Sequence, residues 1–335
     1  MTKREFARPV CLAAALIAFG IDALAEDGAG FRWVDNPKAG TADVMLGDAP
    51  VLRYMYAYDT STADRTHETY KVFHHVFGPN AKTIITKGPR GKYTHHRGLF
   101  IGWNRTRTKG ASYDFWHCTK GAHQRHVKFL EKKADRNSAT MTALIHWNDA
   151  AGKPVIKETR SVRVSKSPRK GDAGYGWQID WSTTLSSNRG TILLSGDRQH
   201  AGFQFRAAQR IAVTNGARYI RPAGFPQQPQ AFQVNDKGNP PKHINLKWFA
   251  MSFELEKKTF TVEYFEDPSL PKPSLFSERP YGRFGAYFKT TLTEGKPFTM
   301  RYRIRVTAGK PPERDDIQTR YNAFVAGLKK RGSGK

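Results

Sequence analysis

Between Tyr93 and His126 the chain reads YTHHRGLFIGWN, then a basic loop, then SYDFWHCTKGAHQRH. Five of its eleven histidines fall there. Histidine titrates nearest neutrality and is the commonest metal ligand, so this stretch is read as the site. In His95-His96-Arg97, one histidine can serve as general base or metal ligand, and Arg97 can hold a carboxylate or sulfate by a bidentate fork. On a strand the two histidines would face opposite ways; in the turn that Lys87-Gly88-Pro89-Arg90-Gly91 implies, both can converge. Asp114, set in the aromatic run Asp114-Phe115-Trp116-His117, needs a partner if buried, so it is paired, catalytic or a ligand. Trp116 offers an apolar ring face for a sugar to stack on.

A second polar cluster is Asp197-Arg198-Gln199-His200-Ala201-Gly202-Phe203-Gln204-Phe205-Arg206. Extended, it places His200, Gly202, Gln204 and Arg206 on one face, with Phe203 and Phe205 turned to a core. Glu278, Arg279 and Tyr281 can reach the site from the loop Pro268–Pro280 and its end. His123 and His126 precede an apolar run that reads as a strand, placing His126 near its start. Neither the zincin motif nor an E-x-x-H pair is present, so no cofactor is called; a His/carboxylate metal site stays open, built from His95, His96 or His200 with Asp114.

The elements that must carry these residues are strands. Met141, Ala143, Ile145 and Trp147 alternate with polar residues; so do Trp177, Ile179, Trp181, Thr183 and Leu185; so do Tyr302, Ile304 and Val306 against Arg301, Arg303 and Arg305. Period-two spacing of this kind buries one face. Asn148–Lys153 and Thr293–Lys296 read as hairpin turns and Asp236–Pro241 as a loop. One helix is expected, at the C-terminus, where Ile317, Tyr321, Phe324, Val325 and Leu328 follow a 3.6-residue period after Asp315 and Asp316. The expected fold is mainly β: a large antiparallel β-sandwich with a C-terminal helix. Residues 26–50 read as a leader segment, and 51–335 as a single β-rich domain.

The chain has 335 residues and a net charge of +26. Such a surplus draws polyanions. Residues 1–25 read as a secretory signal peptide: Lys3, Arg4 and Arg8, an apolar Val10–Ile21, then Ala23-Leu24-Ala25 before Glu26. Export removes nucleic acid as the natural target and leaves an anionic polysaccharide or oligosaccharide, met in the periplasm or outside the cell. No later segment is long and apolar enough for a membrane span. After cleavage only Cys118 remains, so no internal disulfide forms.

HHRGLFIGWN, SYDFWH, GDRQHAGFQFR and SERPYGRFGAYF, closed by RYRIRV, resemble the secreted family labelled "methane oxygenase PmoA-like", a domain of unknown function. The resemblance spans roughly Val51 to Leu328. Its pattern falls on His95, His96, Arg97, Asp114, Trp116, His126, Asp197, Arg206, Arg279 and Tyr281, and it implies a secreted β-sandwich of the kind encoded among carbohydrate-degrading enzymes.

The leading expectation is therefore an exported carbohydrate-active enzyme, hydrolase or lyase, acting on an anionic glycan. His95, His96 and His200 with Asp114 and Asp197 would carry the chemistry. Arg97, Trp116, His126, Gln204, Arg206, Glu278, Arg279 and Tyr281 would bind substrate. A hydrolase of the usual kind needs two carboxyls about 5–10 Å apart, for which Asp114, Asp197 and Glu278 are the candidates. A β-elimination needs a base, an acid and a charge neutraliser. The alternatives are a lectin-like binding protein without catalysis and a metal-dependent oxygenase. A copper polysaccharide monooxygenase requires a mature N-terminal histidine, and Glu26 stands there.

Overall fold

The computed structural model describes residues 30–79, 83–168, 175–225 and 244–332. The signal-peptide expectation and the loop Asp236–Pro241 lie outside them. Among the described residues the chain is mainly β. All pairings are antiparallel in two eight-stranded sheets and one four-stranded sheet. No helix there is long and apolar enough to cross a membrane.

The first sheet runs, in spatial order, Phe31–Asn36, Thr41–Leu46, Ala49–Met55, Phe73–Val76, Leu99–Trp103, Ala201–Arg206, Arg283–Tyr287 and Leu275–Arg279. The second runs Arg218–Ile220, Trp248–Leu255, Lys258–Glu266, Phe298–Ala308, Tyr175–Ser187, Pro154–Pro168, Ser138–Asn148 and His123–Ala134. The alternating apolar sets of Met141–Trp147, Trp177–Leu185 and Tyr302–Val306 are buried and meet Leu99, Ile101, Trp103, Phe203 and Phe205 of the first sheet in one core. Buried ring N–H and O–H groups reach across to backbone carbonyls: Trp177 Nε1 to Phe77 O, and Tyr264 Oη to Phe203 O. The C-terminal helix, Arg314–Gly332, lays Ile317, Tyr321 and Phe324 on Trp248, Ala250 and Phe265, the opposite face of the second sheet.

The leader expectation for 26–50 is corrected. Phe31–Asn36 and Thr41–Leu46 pair in full register as the edge of the first sheet, and Ala42, Val44 and Leu46 are buried in its core. Their Gly-, Ala- and Asp-rich surroundings supply turns, which masked the short strands between them.

His74 and His75 sit on the strand Phe73–Val76 and take opposite faces. His74 stacks on Tyr54 between the sheets (centroids 4.8 Å apart) with neither ring nitrogen bonded. Burial holds it well below the usual histidine range, and holds His75 down at about 4. The folded chain thus refuses protons that the unfolded chain accepts near pH 6.5, so stability is fully present above that pH and is lost as pH falls toward 4. For His75 alone the loss is about 3 kcal/mol. His74→Phe keeps the stack and removes the titrating ring. Its melting temperature should fall less than that of the parent between pH 6.5 and 4, as measured by a thermal-melt series.

Candidate metal centre

The site is assembled on the face of the first sheet turned away from the core. The four-stranded sheet, ordered Thr290–Leu292, Ile192–Ser195, Arg105–Thr108 and Ala111–Tyr113, launches two of its parts. Ala111–Tyr113 runs directly into Asp114-Phe115-Trp116-His117. Ile192–Ser195 runs, through Gly196, into Asp197-Arg198-Gln199-His200. Both are Asp-x-x-His turns with the same wiring. In one, Asp114 Oδ1 accepts from the backbone N–H of Trp116 (2.9 Å), and His117 Nδ1 donates to Asp114 Oδ2 (2.7 Å). In the other, Asp197 Oδ1 accepts from the N–H of Gln199 (2.9 Å) and from His200 Nδ1 (2.9 Å). Asn104 clamps the second turn: its Nδ2 donates to Asp197 Oδ2 (3.0 Å) and its backbone N–H to His200 O (3.0 Å). Gly102 lets the first turn lie flat, since a Cβ there would stand 2.5 Å from Phe115 O.

The third part comes from the loop before Leu99–Trp103. His95 and His96 both lie in a turn, with His96 N–H donating to Tyr93 O (2.9 Å). Arg97 fastens that turn through Thr94 O, His96 O (2.9 Å) and His67 O (2.7 Å). His95 meets His117 at 4.6 Å and His200 at 5.9 Å between ring centroids, and His117 meets His200 at 4.8 Å. One nitrogen from each of His95, His117 and His200 falls within 4.8 Å of the other two.

The protonation pattern suits a cation. Burial raises the Asp197 carboxyl, but the bonds from His200, Asn104 and Gln199 outweigh it and hold it at about 2. Asp114 is likewise lowered, bonds from His117 and Trp116 overcoming its burial. Each carboxylate therefore accepts from an Nδ1–H, which leaves Nε2 of that ring free of it. This is the carboxylate–histidine pairing that orients metal ligands. His95 is pushed down to about 2, first by burial and then by Lys71 and the neighbouring imidazoles. It is thus neutral and able to ligate, and its Nε2 is buried with no partner. Three imidazoles, His95, His117 and His200, thus offer a tridentate set to one cation.

The expected result for Asp114→Asn is a drop of about 10- to 100-fold in metal affinity with an intact fold, since the amide weakens the acceptor for Nδ1. Metal titration and far-UV circular dichroism check both halves.

The model of a family described as a family of unknown function (DUF6807) matches residues 41–322. The chain belongs to this family. No curated protein matches it. Among solved structures, the chain is similar to the GH36 alpha-galactosidase AgaA from Geobacillus stearothermophilus, with a TM-score of 0.32 and 9% identity over 84% of this chain and 40% of that one. It is also similar to a putative kojibiose phosphorylase from human microbiome, with a TM-score of 0.30 and 10% identity over 90% of this chain and 33% of that one. The chain thus spans less than half the length of either neighbour.

The structure brings together His95, His200, Asp114 and Asp197, and adds His117. His96 packs on His95 with centroids 4.4 Å apart, but its Nδ1 accepts from Arg206 Nε (3.0 Å). Arginine offers only donors, so that nitrogen is committed. Tyr281 stacks beside His96, and Tyr93 beside Tyr281 (4.7 Å).

Other expectations are corrected. Asp114 is bonded to His117 and Asp197 to His200, so each carboxylate is paired within its own turn. Trp116 is fully buried against Phe73 and Phe100, so no sugar reaches its face. Arg97 spends its guanidinium on carbonyls under the loop and has no access to substrate. Gln204 faces the site side but is buried, its amide bound to Ala201 O. Arg206 is buried too, bonded to His96 and to the carbonyls of Ala207 and Tyr281. His126 packs with Tyr54, Tyr56 and Phe129 on the second sheet, outside the cluster. Glu278 points with Phe276 between the sheets and is paired with buried Arg221. Arg279, buried on the site side of its strand, donates to Glu278 O (2.8 Å). His117 was missed although its signal was present: Asp-x-x-His occurs at Asp114 and again at Asp197.

Proposed function

We propose that the protein is a metal-dependent carbohydrate-active enzyme, of hydrolase or lyase type, acting on an anionic glycan after export from the cytoplasm. One observation carries the reading: three imidazoles converge, two of them oriented by carboxylates. A divalent cation held there would polarise a bound water or a substrate oxygen. Asp114, Asp197 and Glu278 are all committed to partners, so the paired-carboxyl mechanism of ordinary glycosidases has no free pair to use.

The anionic preference rests on charge. Lys71, Lys87, Arg97, Arg206 and Arg283 are each no more than 2% exposed on this side of the first sheet. Among the described residues their hydrogen bonds go to carbonyls, to Ser277 and Tyr281 hydroxyls, to Gln204 and to the His96 ring, and none goes to a carboxylate. Buried positive charge that no carboxylate bonds directly is costly, and an anionic ligand beside it supplies a further counter-charge. The PmoA-like resemblance, with its secreted carbohydrate-degrading setting, favours a carbohydrate substrate.

The test is metal analysis of the purified protein, removal by chelator, and reconstitution with zinc, manganese, iron or copper. Each form is then assayed on anionic polysaccharides for new reducing ends and for absorbance at about 235 nm, the mark of an eliminated product. Metal near one per chain with restored turnover is the expected outcome. Turnover that survives chelation, or no metal uptake by any form, overturns the reading.

A further inference from the structure

An open cleft of about 490 Å³ lies against the outer side of the metal centre. Its wall includes Asp114 and Asn104, the two residues that hold His117 and the Asp197 turn in place. The rest comes from Ser112, Tyr113, Thr119, Lys120 and Ala122 and from the hairpin Asp149–Ala151. Its volume falls in the range of small-molecule sites.

The charges in the cleft are unequal in their freedom. Asp114 is taken up by His117. Asp149 is paired with Arg189 at 2.7 Å. Lys120 is exposed, and no carboxylate among the described residues pairs with it. It is also held in the left-handed region, at φ 54°, between Cys118 at 57° and Gly121 at 77°. Non-glycine residues persist there only where the surroundings impose it, and such strain gathers at ligand sites. Asn104 Oδ1 is buried with no hydrogen bond. Hydroxyls of Ser112 and Thr119 and the half-buried ring of Tyr113 complete a polar, ringed surface on which Lys120 is the exposed cation and the Asp114 carboxylate, bonded to His117, is the nearest anion.

We propose that this cleft is a second glycan subsite, which takes a uronate unit next to the unit at the metal and reads its carboxylate through Lys120. The inference rests on the metal-dependent glycan reading and names the part of that substrate the cleft recognises. A chain lying over His117 and His200, which are 27% and 28% exposed, continues into the cleft without crossing the core.

The experiment is calorimetric titration of the full chain with uronate trisaccharides (galacturonate, mannuronate and glucuronate series) and with their methyl esters, metal content being measured on every sample. Lys120→Glu should weaken the acid trisaccharide that binds best by about tenfold or more, while leaving its ester and the metal content unchanged. Ala151→Trp, on the exposed hairpin, should weaken acid and ester alike by filling the cleft. Binding of acid and ester with equal affinity, binding of no trisaccharide, or variants that bind like the parent each overturn the subsite. Full metal content with unaffected variants removes the subsite and leaves the metal enzyme standing. Lys120-dependent binding in a protein that takes up no metal does the reverse.

Discussion

His117→Ala is expected to abolish stoichiometric metal binding, and with it the turnover proposed above. The remaining pair, His95 and His200, cannot enclose a cation, and the Asp114 carboxylate loses the ring it orients. Affinity should fall by more than the roughly 10- to 100-fold typical of losing a supporting partner, because a direct ligand is gone. The parent should gain thermal stability on adding metal, since anything that binds only the folded state stabilises it by mass action. The variant should gain none. Elemental analysis and paired melts with and without metal read both effects. His126→Ala is the control, because that ring packs with Tyr54 and Phe129 outside the cluster; its metal content should match the parent. A parent-like metal response in His117→Ala would remove the three-imidazole centre.

The second large effect lies in the core. Glu158 and Arg160 sit between the sheets, both side chains without exposure. Arg160 donates to Glu158 through Nε (2.7 Å) and Nη2 (3.0 Å), Trp147 Nε1 donates to the same carboxylate (2.8 Å), and Thr183 bonds it as well. The guanidinium lies 4.5 Å from the Trp181 ring centre. Glu158→Ala strands that cation and leaves the Trp147 N–H unbonded. Breaking one side of a buried pair costs about 3–5 kcal/mol, which for a chain of this size lowers the melting point by roughly 5–8 °C. The double variant Glu158→Leu with Arg160→Met removes both charges and should recover most of the loss. Denaturant and thermal unfolding of the three proteins test this; a single variant as stable as the parent would mean the pair carries no net constraint.

The strands with the strongest alternation were legible because one face of each meets an apolar core along its whole length. Trp177, Ile179 and Trp181 declare their sheet face without any neighbour being known. The C-terminal helix was legible for the same reason, its stripe being long and regular. The strands Phe31–Asn36 and Thr41–Leu46 were not, since they are short and their neighbours are turn residues.

The candidate site was legible in part. The clusters around His95 and around Asp197 stood out because polar groups crowd among aromatics, and alternation placed Phe203 inward and Arg206 outward. Alternation cannot say whether the outward face is open. Here the loop before Leu99 and the turn at Asp114 cover it, so Arg206 and Gln204 are buried. Glu278 failed for a related reason: one residue of strand register sends it between the sheets while Arg279 takes the other side.

The amino-acid sequence alone determined the sheet faces, the C-terminal helix and two polar clusters that carry histidine, since each depends on spacing within a few residues. The tertiary structure decided which histidines meet. His95 and His96 are neighbours in sequence with equal claims, and Arg206, from a strand over a hundred residues later, takes one of them and leaves the other to His117 and His200. Local periodicity carries no information about that choice, because convergence is set by which strands pair and which loops fold over their outer face.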